Sequence, residues 1–131
     1  MPAPAPIRTA ISAPFWEGLE RGEIVVQRCA ACRRHVFYPR AFCHHCGSRE
    51  LSWHALADQP VLYSFSVADV PVAPELADQP VQIPVIVEIA DVRLASTLEQ
   101  VAPEEVRIGM ALAPLIVPDG GGGLLLKFRP A

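Results

Sequence analysis

Four cysteines, Cys29, Cys32, Cys43 and Cys46, have the spacing C-x2-C-x10-C-x2-C and account for every cysteine in the chain. Two residues between the members of each pair let both sulfurs converge from one tight turn, and two such turns complete a tetrahedron around a divalent ion. The spacing therefore predicts a structural zinc ribbon. Four protein thiolates leave no position for water, so the metal would stabilise the fold and would not activate a nucleophile.

Other uses of four cysteines remain open at this point. They are two disulfides, buried small side chains, a redox-active C-x-x-C, or iron in place of zinc. The ten residues between the pairs are fewer than the roughly 15 to 20 of the commonest zinc pattern. His35, His44 and His45 lie among the cysteines. Because four thiols already complete the ligand shell, we predict that these histidines are surface residues.

Charge is distributed unevenly along the chain, which carries a formal net charge of -3 in total. Residues 21–49 are formally +5, with six arginines against one glutamate, whereas residues 50–131 are formally -7. Four thiolates on a divalent ion would take two charges from the cysteine segment and leave it moderately positive. This pattern favours a small anionic ligand over a nucleic-acid backbone.

The length of 131 residues allows one small domain with appendages. The first ten residues, MPAPAPIRTA, lack the apolar stretch of a secretion signal, and we find no run of roughly 18 apolar residues that would span a membrane. We therefore expect a cytoplasmic protein with no membrane partner. A reducing cytosol also favours metal-bound cysteines over disulfides.

The sequence divides into three predicted segments: 1–23, 24–52 and 53–131. Residues 1–11 are rich in proline and are predicted to form an extended or disordered arm. A short helix should begin at Ser12 as its N-cap and end near Gly22. Ile24 to Arg28 should form the strand that enters the first cysteine pair, and HVFYPRAF a short hairpin between the pairs.

The last segment is predicted to be a small β-barrel. Five apolar runs separated by turn signals indicate strands at 61–67, 85–90, 92–98, 111–117 and 124–129. PEEVRIGM is typical of a capped helical turn that ends at Gly109, and the DGGGG run at 119–123 of a close hairpin. Five strands in about 75 residues fit a five-stranded Greek-key barrel of the oligonucleotide/oligosaccharide-binding (OB) type. The predicted fold class is mainly β.

Four motifs together resemble a known family: PFWEGLERGE, RCAACRR followed by FCHHCGSRELSW, VLYSFSV, and EEVRIGM with a late FRP. The resemblance covers about residues 14–130 and is to the zinc-ribbon/OB-fold acyl-CoA-associated family, once labelled a domain of unknown function. It implies an N-terminal helix, a rubredoxin-like zinc ribbon and an OB barrel. The sequence differs from the family pattern at Asp58-Gln59-Pro60, where a glycine is common, and at His44, where proline is common.

The resemblance also implies a function. Members of this family act as accessory subunits of thiolase-like or lipid-transfer-protein-like (aldolase/thiolase) enzymes in CoA-thioester metabolism. The first hypothesis is thus a non-catalytic or co-catalytic subunit that binds acyl-CoA and a thiolase-type partner. Guanidinium groups can hold the CoA phosphates in pairs of hydrogen bonds, and the candidate contacts are Arg28, Arg33, Arg34 and Arg40. Phe15 and Trp16 are candidates for an apolar or partner surface, unless they pack on their own chain.

Three other functions are alternatives to this one. A zinc ribbon beside an OB barrel suggests single-stranded nucleic-acid binding, but the acidic barrel segment opposes the phosphate contacts that this requires. A stand-alone enzyme has no recognised catalytic motif here, although Asp69, Glu75 and Glu88 offer carboxylates. Iron bound by the thiolates would permit electron transfer and would colour the protein.

Overall fold

One short helix and eight strands make up the regular structure of the described chain. The computed structural model describes residues 5–71, 73–78 and 80–131. The elements are α1 (Ala13–Glu20), β1 (Ile24–Cys29), β2 (His35–Val36), β3 (Leu51–Leu56), β4 (Val61–Phe65), β5 (Pro84–Ile89), β6 (Val92–Thr97), β7 (Leu112–Pro118) and β8 (Leu124–Pro130). Pro74–Leu76 and Pro103–Glu105 form single 3-10 turns. The mainly-β fold with a short N-terminal helix is confirmed, and the helical turn before Gly109 is a 3-10 turn.

Helix α1 packs closely against strand β1. A methyl group added at Gly18 would lie 2.6 Å from Cγ2 of Val25, so glycine is what permits this approach. Gly22 has φ +77° just after the helix, as its predicted role in ending the helix requires. Ser12 is the N-cap residue, as predicted, but its side chain makes no capping hydrogen bond, and its hydroxyl instead accepts the indole N–H of Trp16. Part of the predicted arm, residues 1–4, lies outside the described residues.

The ribbon sheet has the strand order β2-β1-β3, with both neighbours antiparallel to β1. Strand β3 was not predicted from the sequence. The predicted boundary between the ribbon and the last segment, between residues 52 and 53, falls inside this strand. HVFYPRAF does not form a hairpin of its own, since only its first two residues are a strand and these pair with β1. The rest is held by the buried Gln27 side chain, whose amide exchanges two 2.9 Å hydrogen bonds with the backbone of Arg40.

The five later strands form two antiparallel pieces. β4, β5 and β6 form one antiparallel sheet, and β7 and β8 form a hairpin. Single bridges join the two pieces, antiparallel at Val61 and Ala111 and parallel at Leu98 and Phe128. The resulting order β4-β5-β6-β8-β7 is compatible with the predicted five-stranded barrel, and these strands are called the barrel below. In the described residues, no regular ladder connects β6 to β8 or β7 to β4. The N–H of Glu99 donates to the carbonyl of Phe128 at 2.8 Å, and residues 60–62 exchange three backbone hydrogen bonds with residues 109–112.

One apolar core joins the ribbon to the strands that follow it. Phe128, Val87 and Ile89 are completely buried in it, and Ile24 and Val26 of β1 belong to the same cluster. A second, smaller cluster surrounds Cys29, Cys43 and Val36. The shared core means that the ribbon and the later strands stabilise each other. No helix in the described part of the chain has the length and apolar character needed to cross a membrane.

Candidate metal centre and apolar cavity

The four cysteine sulfurs lie together at the tip of the ribbon. The Sγ atoms of Cys29 and Cys46 are 3.6 Å apart, those of Cys32 and Cys43 are 3.7 Å apart, and all four lie within 4.8 Å of one another. Zinc–sulfur bonds of about 2.3 Å in a tetrahedron place sulfurs about 3.8 Å apart, so the spacing fits zinc. It exceeds the roughly 2.05 Å of a disulfide bond.

Two turns with the same hydrogen bonds present these sulfurs. The N–H of Arg33 donates to the carbonyl of Cys29 at 2.8 Å, and the N–H of Gly47 donates to the carbonyl of Cys43 at 2.8 Å. Both residues lie four positions after a cysteine, and both have left-handed backbone, with φ of +66° and +80°. The two knuckles are therefore copies of one turn, and Arg33 occupies a position that favours glycine.

Backbone N–H groups favour thiolates at this site. Hydrogen bonding from the N–H of Cys32 lowers the pKa of the Cys29 thiol to about 6, although burial opposes the shift. The N–H of His45 lies 3.3 Å from Sγ of Cys43. At Cys46 the N–H of Ser48 lowers the pKa, but burial and the neighbouring thiols outweigh it and raise the pKa to about 11. Zinc supplies the missing positive charge when it is bound, since its ligands must be deprotonated.

The three histidines lie outside the sulfur cluster. His35 is half-buried, and both its backbone N–H and its ring Nδ1 contact the carboxylate of Asp91, in the turn between β5 and β6. These hydrogen bonds from His35 help lower the pKa of Asp91, although burial of this carboxyl acts in the opposite direction. His44 and His45 are exposed and stack with ring centres 3.8 Å apart. His35 thus links the ribbon to the barrel, a role that the sequence did not reveal.

The four candidate arginines separate into three places on the ribbon. Arg28 and Arg33 share a hollow of about 430 Å³ with Ser52 and His54. Nε of Arg28 donates to the carbonyl of Arg33 at 3.2 Å, which brings the two residues together. Ser52 and His54 come from β3, so the unpredicted strand supplies the two polar side chains that sequence reasoning missed.

Arg34 and Arg40 lie away from that hollow. The guanidinium of Arg34 is 3.5 Å from Nδ1 of His45. Arg40 is half-buried, and its Nε donates to the carbonyl of Tyr38 at 3.1 Å. The fold therefore gathers two of the four arginines in one hollow, while Arg40 lies beside the residues that line an apolar cavity.

That apolar cavity has a volume of about 370 Å³ and lies where the helix, the ribbon and the barrel meet. Its walls come from the N-terminal arm, α1, residues 37–39 of the ribbon, and the facing strands β6 and β8. Leu94 and Ala95 of β6 and Leu125 and Leu126 of β8 border it, so it lies beside the contact between these two strands. The volume falls in the range of about 300 to 1,000 Å³ that is common for ligand sites.

Aromatic residues form the inner wall of this cavity. Phe15 packs on the core and lies edge-on to Trp16, with centroids 5.1 Å apart, and it contacts Phe37 at 5.9 Å. Trp16 is half-buried beneath the guanidinium of Arg8, which lies 4.5 Å from the ring centre. The aromatic pair of α1 thus packs on its own chain, and one side of it faces the cavity.

Comparisons with known proteins agree with this architecture. A family model described as "ChsH2, rubredoxin-like zinc ribbon domain" matches residues 16–52. Over nearly the whole chain, the structure is similar to a solved chain of an "Ltp2-ChsH2(DUF35) aldolase". The TM-score is 0.82 and the identity 30%, and the match covers 96% of this chain and 98% of the other. The chain belongs to the DUF35 family.

Two further relatives extend the comparison. A DUF35 protein of unknown function from Sulfolobus solfataricus has the same fold, with a TM-score of 0.66 and 16% identity over 93% of this chain and 86% of that one. A protein of Thermomonospora curvata named "Probable enoyl-CoA hydratase alpha subunit" is 31% identical over 129 residues, 98% of this chain. The match spans 40% of that relative's length.

Proposed function

We propose that this DUF35 protein is an accessory subunit that binds acyl-CoA and partners a thiolase-like or lipid-transfer-protein-like enzyme. The observation that carries the proposal is the similarity to a chain of the Ltp2–ChsH2 aldolase over 98% of that chain's length. The similarity to a protein named as an enoyl-CoA hydratase subunit supports the same area of metabolism. The four thiols fill a zinc shell, so zinc would hold the ribbon in shape and take no part in the reaction.

The arginine positions support contact with CoA. CoA carries a pyrophosphate and a separate 3′-phosphate, so two cationic places on one ribbon are compatible with a single ligand. In the hollow, the two guanidinium groups offer hydrogen-bond donors to one phosphate, beside Ser52 and His54, whose side chains bond to each other at 2.8 Å. Arg40 offers a second cation beside the apolar cavity. We propose Arg28, Arg33 and Arg40 as the main phosphate contacts, with Arg34 as a further candidate.

The partner is tested by gentle purification of the tagged protein from its own host, followed by mass spectrometry. We expect a thiolase-like or lipid-transfer-like enzyme in stoichiometric amount. A matched preparation of the Cys43→Ser, Cys46→Ser variant, in which the ribbon loses its metal, should recover much less of that enzyme. Recovery of the chain without any stoichiometric enzyme would contradict the accessory-subunit proposal.

The phosphate contacts are tested by titration of free CoA in a calorimeter. Arg28→Glu with Arg33→Glu, and Arg40→Glu separately, should each weaken binding at least tenfold, because they replace an attraction for phosphate with a repulsion. Arg49→Glu is the matched control, since it reverses an exposed ribbon arginine outside the proposed contacts. Equal affinities in all variants would remove these arginines from the site. A single-stranded oligonucleotide in the same titration tests the nucleic-acid alternative.

We also propose that the protein works in the cytoplasm and does not catalyse a reaction alone. A reducing compartment keeps the four thiols available to zinc. The exposed carboxylates considered in the sequence, Asp69 and Glu75, lie on the loop between β4 and β5, and Glu88 pairs with Arg93 at 2.9 Å. None of the three borders the apolar cavity.

A further inference from the structure

We propose that the apolar cavity between β6 and β8 binds the acyl chain of the CoA thioester. This inference rests on the proposed function and deepens it, because it assigns the acyl group to a site separate from the arginines. The cavity lies beside the contact between β6 and β8, near the bridge from Leu98 to Phe128 and the 2.9 Å hydrogen bond from the Ser96 hydroxyl to the carbonyl of Leu126. Leu94, at its border, is itself a core residue that is 3% exposed. A ligand here would therefore reach the apolar interior.

Two polar side chains at the cavity already make hydrogen bonds within the protein. The hydroxyl oxygen of Tyr38 accepts the N–H of Ala95 at 3.1 Å, and the indole N–H of Trp16 donates to the hydroxyl of Ser12 at 3.1 Å. A ligand that fills the cavity would therefore gain mainly apolar contact, which suits a hydrocarbon chain.

Exposed apolar side chains at the mouth support the same conclusion. Tyr38 is 51% exposed, and Ile7 and Ile11 of the arm are 89% and 43% exposed although all three border the cavity. Such clustered exposure marks a binding surface. A hydrocarbon chain bound in the cavity would cover these exposed side chains.

The N-terminal arm forms one wall of the site. Arg8 holds it in place through a 2.6 Å ion pair with Asp119 and a 3.0 Å hydrogen bond to the carbonyl of Leu124. Asp119 in turn accepts the N–H groups of Gly121 and Gly123 in the β7–β8 turn. Arg8 thus holds the arm against the β7–β8 turn.

The test uses acyl thioesters of N-acetylcysteamine, which carry the acyl group without the CoA phosphates. Butanoyl, hexanoyl and octanoyl thioesters are titrated into the Trp53→Phe protein, in which Trp16, at the cavity wall, is the one remaining tryptophan. Each added methylene should raise the affinity about fourfold until the cavity is full. The fluorescence of Trp16 should change along the same saturation curve as the thioester binds.

Two alanine variants provide the matched comparison. Ala95→Leu places a larger side chain in the cavity and should abolish the gain with chain length. Ala55→Leu makes the same change on another exposed strand position, outside the cavity, and should leave the gain intact. Circular dichroism and melting temperature show whether both variants fold.

The outcomes separate this inference from the proposed function. An affinity that is independent of chain length, absence of thioester binding, or equal weakening by both alanine variants overturns the acyl-chain site, even if free CoA binds to the arginines. If the thioesters bind with the predicted increments while free CoA does not, the cavity assignment stands and the arginine assignment fails. If the cavity instead receives a side chain of the partner enzyme, the isolated chain should show no affinity gain with acyl-chain length, and the acyl-chain site is overturned.

Discussion

Arg33 and Gly47 are equivalent residues in the two cysteine turns, yet one of them carries a long cationic side chain. Left-handed backbone is unfavourable for a residue with a Cβ atom by about 1 kcal/mol or more. The first turn thus keeps an arginine where glycine would be easier to accommodate. This is expected if the guanidinium in the hollow contributes to ligand binding.

Replacement of this arginine separates stability from binding. Arg33→Gly should raise the free energy of unfolding by up to about 1 kcal/mol, because the backbone strain is relieved. The same variant should weaken CoA binding. Arg34→Gly, at a neighbouring position without positive φ, should not stabilise the protein. Denaturant unfolding and CoA titration of both variants measure the two effects, and loss of stability in Arg33→Gly would contradict the strain argument.

The cysteine ligands make a second prediction at this scale. Cys43 is buried, and its replacement removes one of four ligands, so Cys43→Ser should lower the free energy of unfolding by several kcal/mol, a part of the roughly 10 to 16 kcal/mol of structural zinc binding. Metal analysis should show one zinc per native chain and less in the variant. Cys43→Ser protein with full zinc content and an unchanged melting temperature would rule out four-thiolate ligation. Iron in place of zinc would show in the same metal analysis.

The N-terminal arm and the β7–β8 turn act together at the scale of elements. Asp119 connects them, since its carboxylate accepts two N–H groups of its own turn and the guanidinium of Arg8. The N–H of Gly121, the guanidinium of Arg8 and the N–H of Gly123 lower the pKa of Asp119. A lowered carboxyl pKa contributes stability above its usual value near 3.8, and that contribution is lost as the pH falls through the folded-state pKa.

Asp119→Asn should release the arm while the turn stays formed, because the amide oxygen still accepts N–H groups but carries no charge for Arg8. Trypsin should then cut after Arg8 several times faster than in the native protein. Glu88→Gln, which breaks the exposed pair with Arg93, is the control. The stability difference between native and Asp119→Asn protein should be present at pH 7. It should disappear as the pH falls below the lowered pKa of Asp119 in the folded state. Equal cleavage rates would show that the ion pair does not hold the arm.

Much of this element structure could be predicted from local patterns, and the misses have identifiable causes. Apolar runs bounded by glycine and proline predicted β4 to β8 closely, because each strand has one strongly apolar face. β3 was missed because LSWHAL carries mixed polarity and owes its extended form to pairing along the full length of β1. Ser12 was correctly placed before the helix, but its hydroxyl accepts the indole N–H of Trp16, one helical turn later, and does not cap the backbone.

At the scale of the whole molecule, the cysteine spacing predicted the metal centre, while the cavity could not be predicted. Cysteine ligands are close in sequence, so their geometry is local. The cavity collects residues from the arm, the helix, the ribbon and two strands, which only the complete fold brings together. The four arginines were predicted as one group from their clustering in sequence, but the ribbon turns distribute them over its surface.

The combined architecture is consistent with the proposed accessory role in CoA-thioester metabolism. Zinc would fix the ribbon and so the arginines, the shared core joins the ribbon to the barrel, and the junction between them forms the apolar cavity. In this proposal, the chain binds the substrate and the partner enzyme breaks the bond.

The most direct test of this account is the rate of the co-purified partner enzyme on its CoA thioester as zinc-loaded chain is added back. The account predicts that the rate rises and saturates at a fixed molar ratio of chain to enzyme, and that the Arg28→Glu, Arg33→Glu protein gives a higher KM. A rate that is the same with and without the chain would contradict the claim that this protein is an accessory subunit.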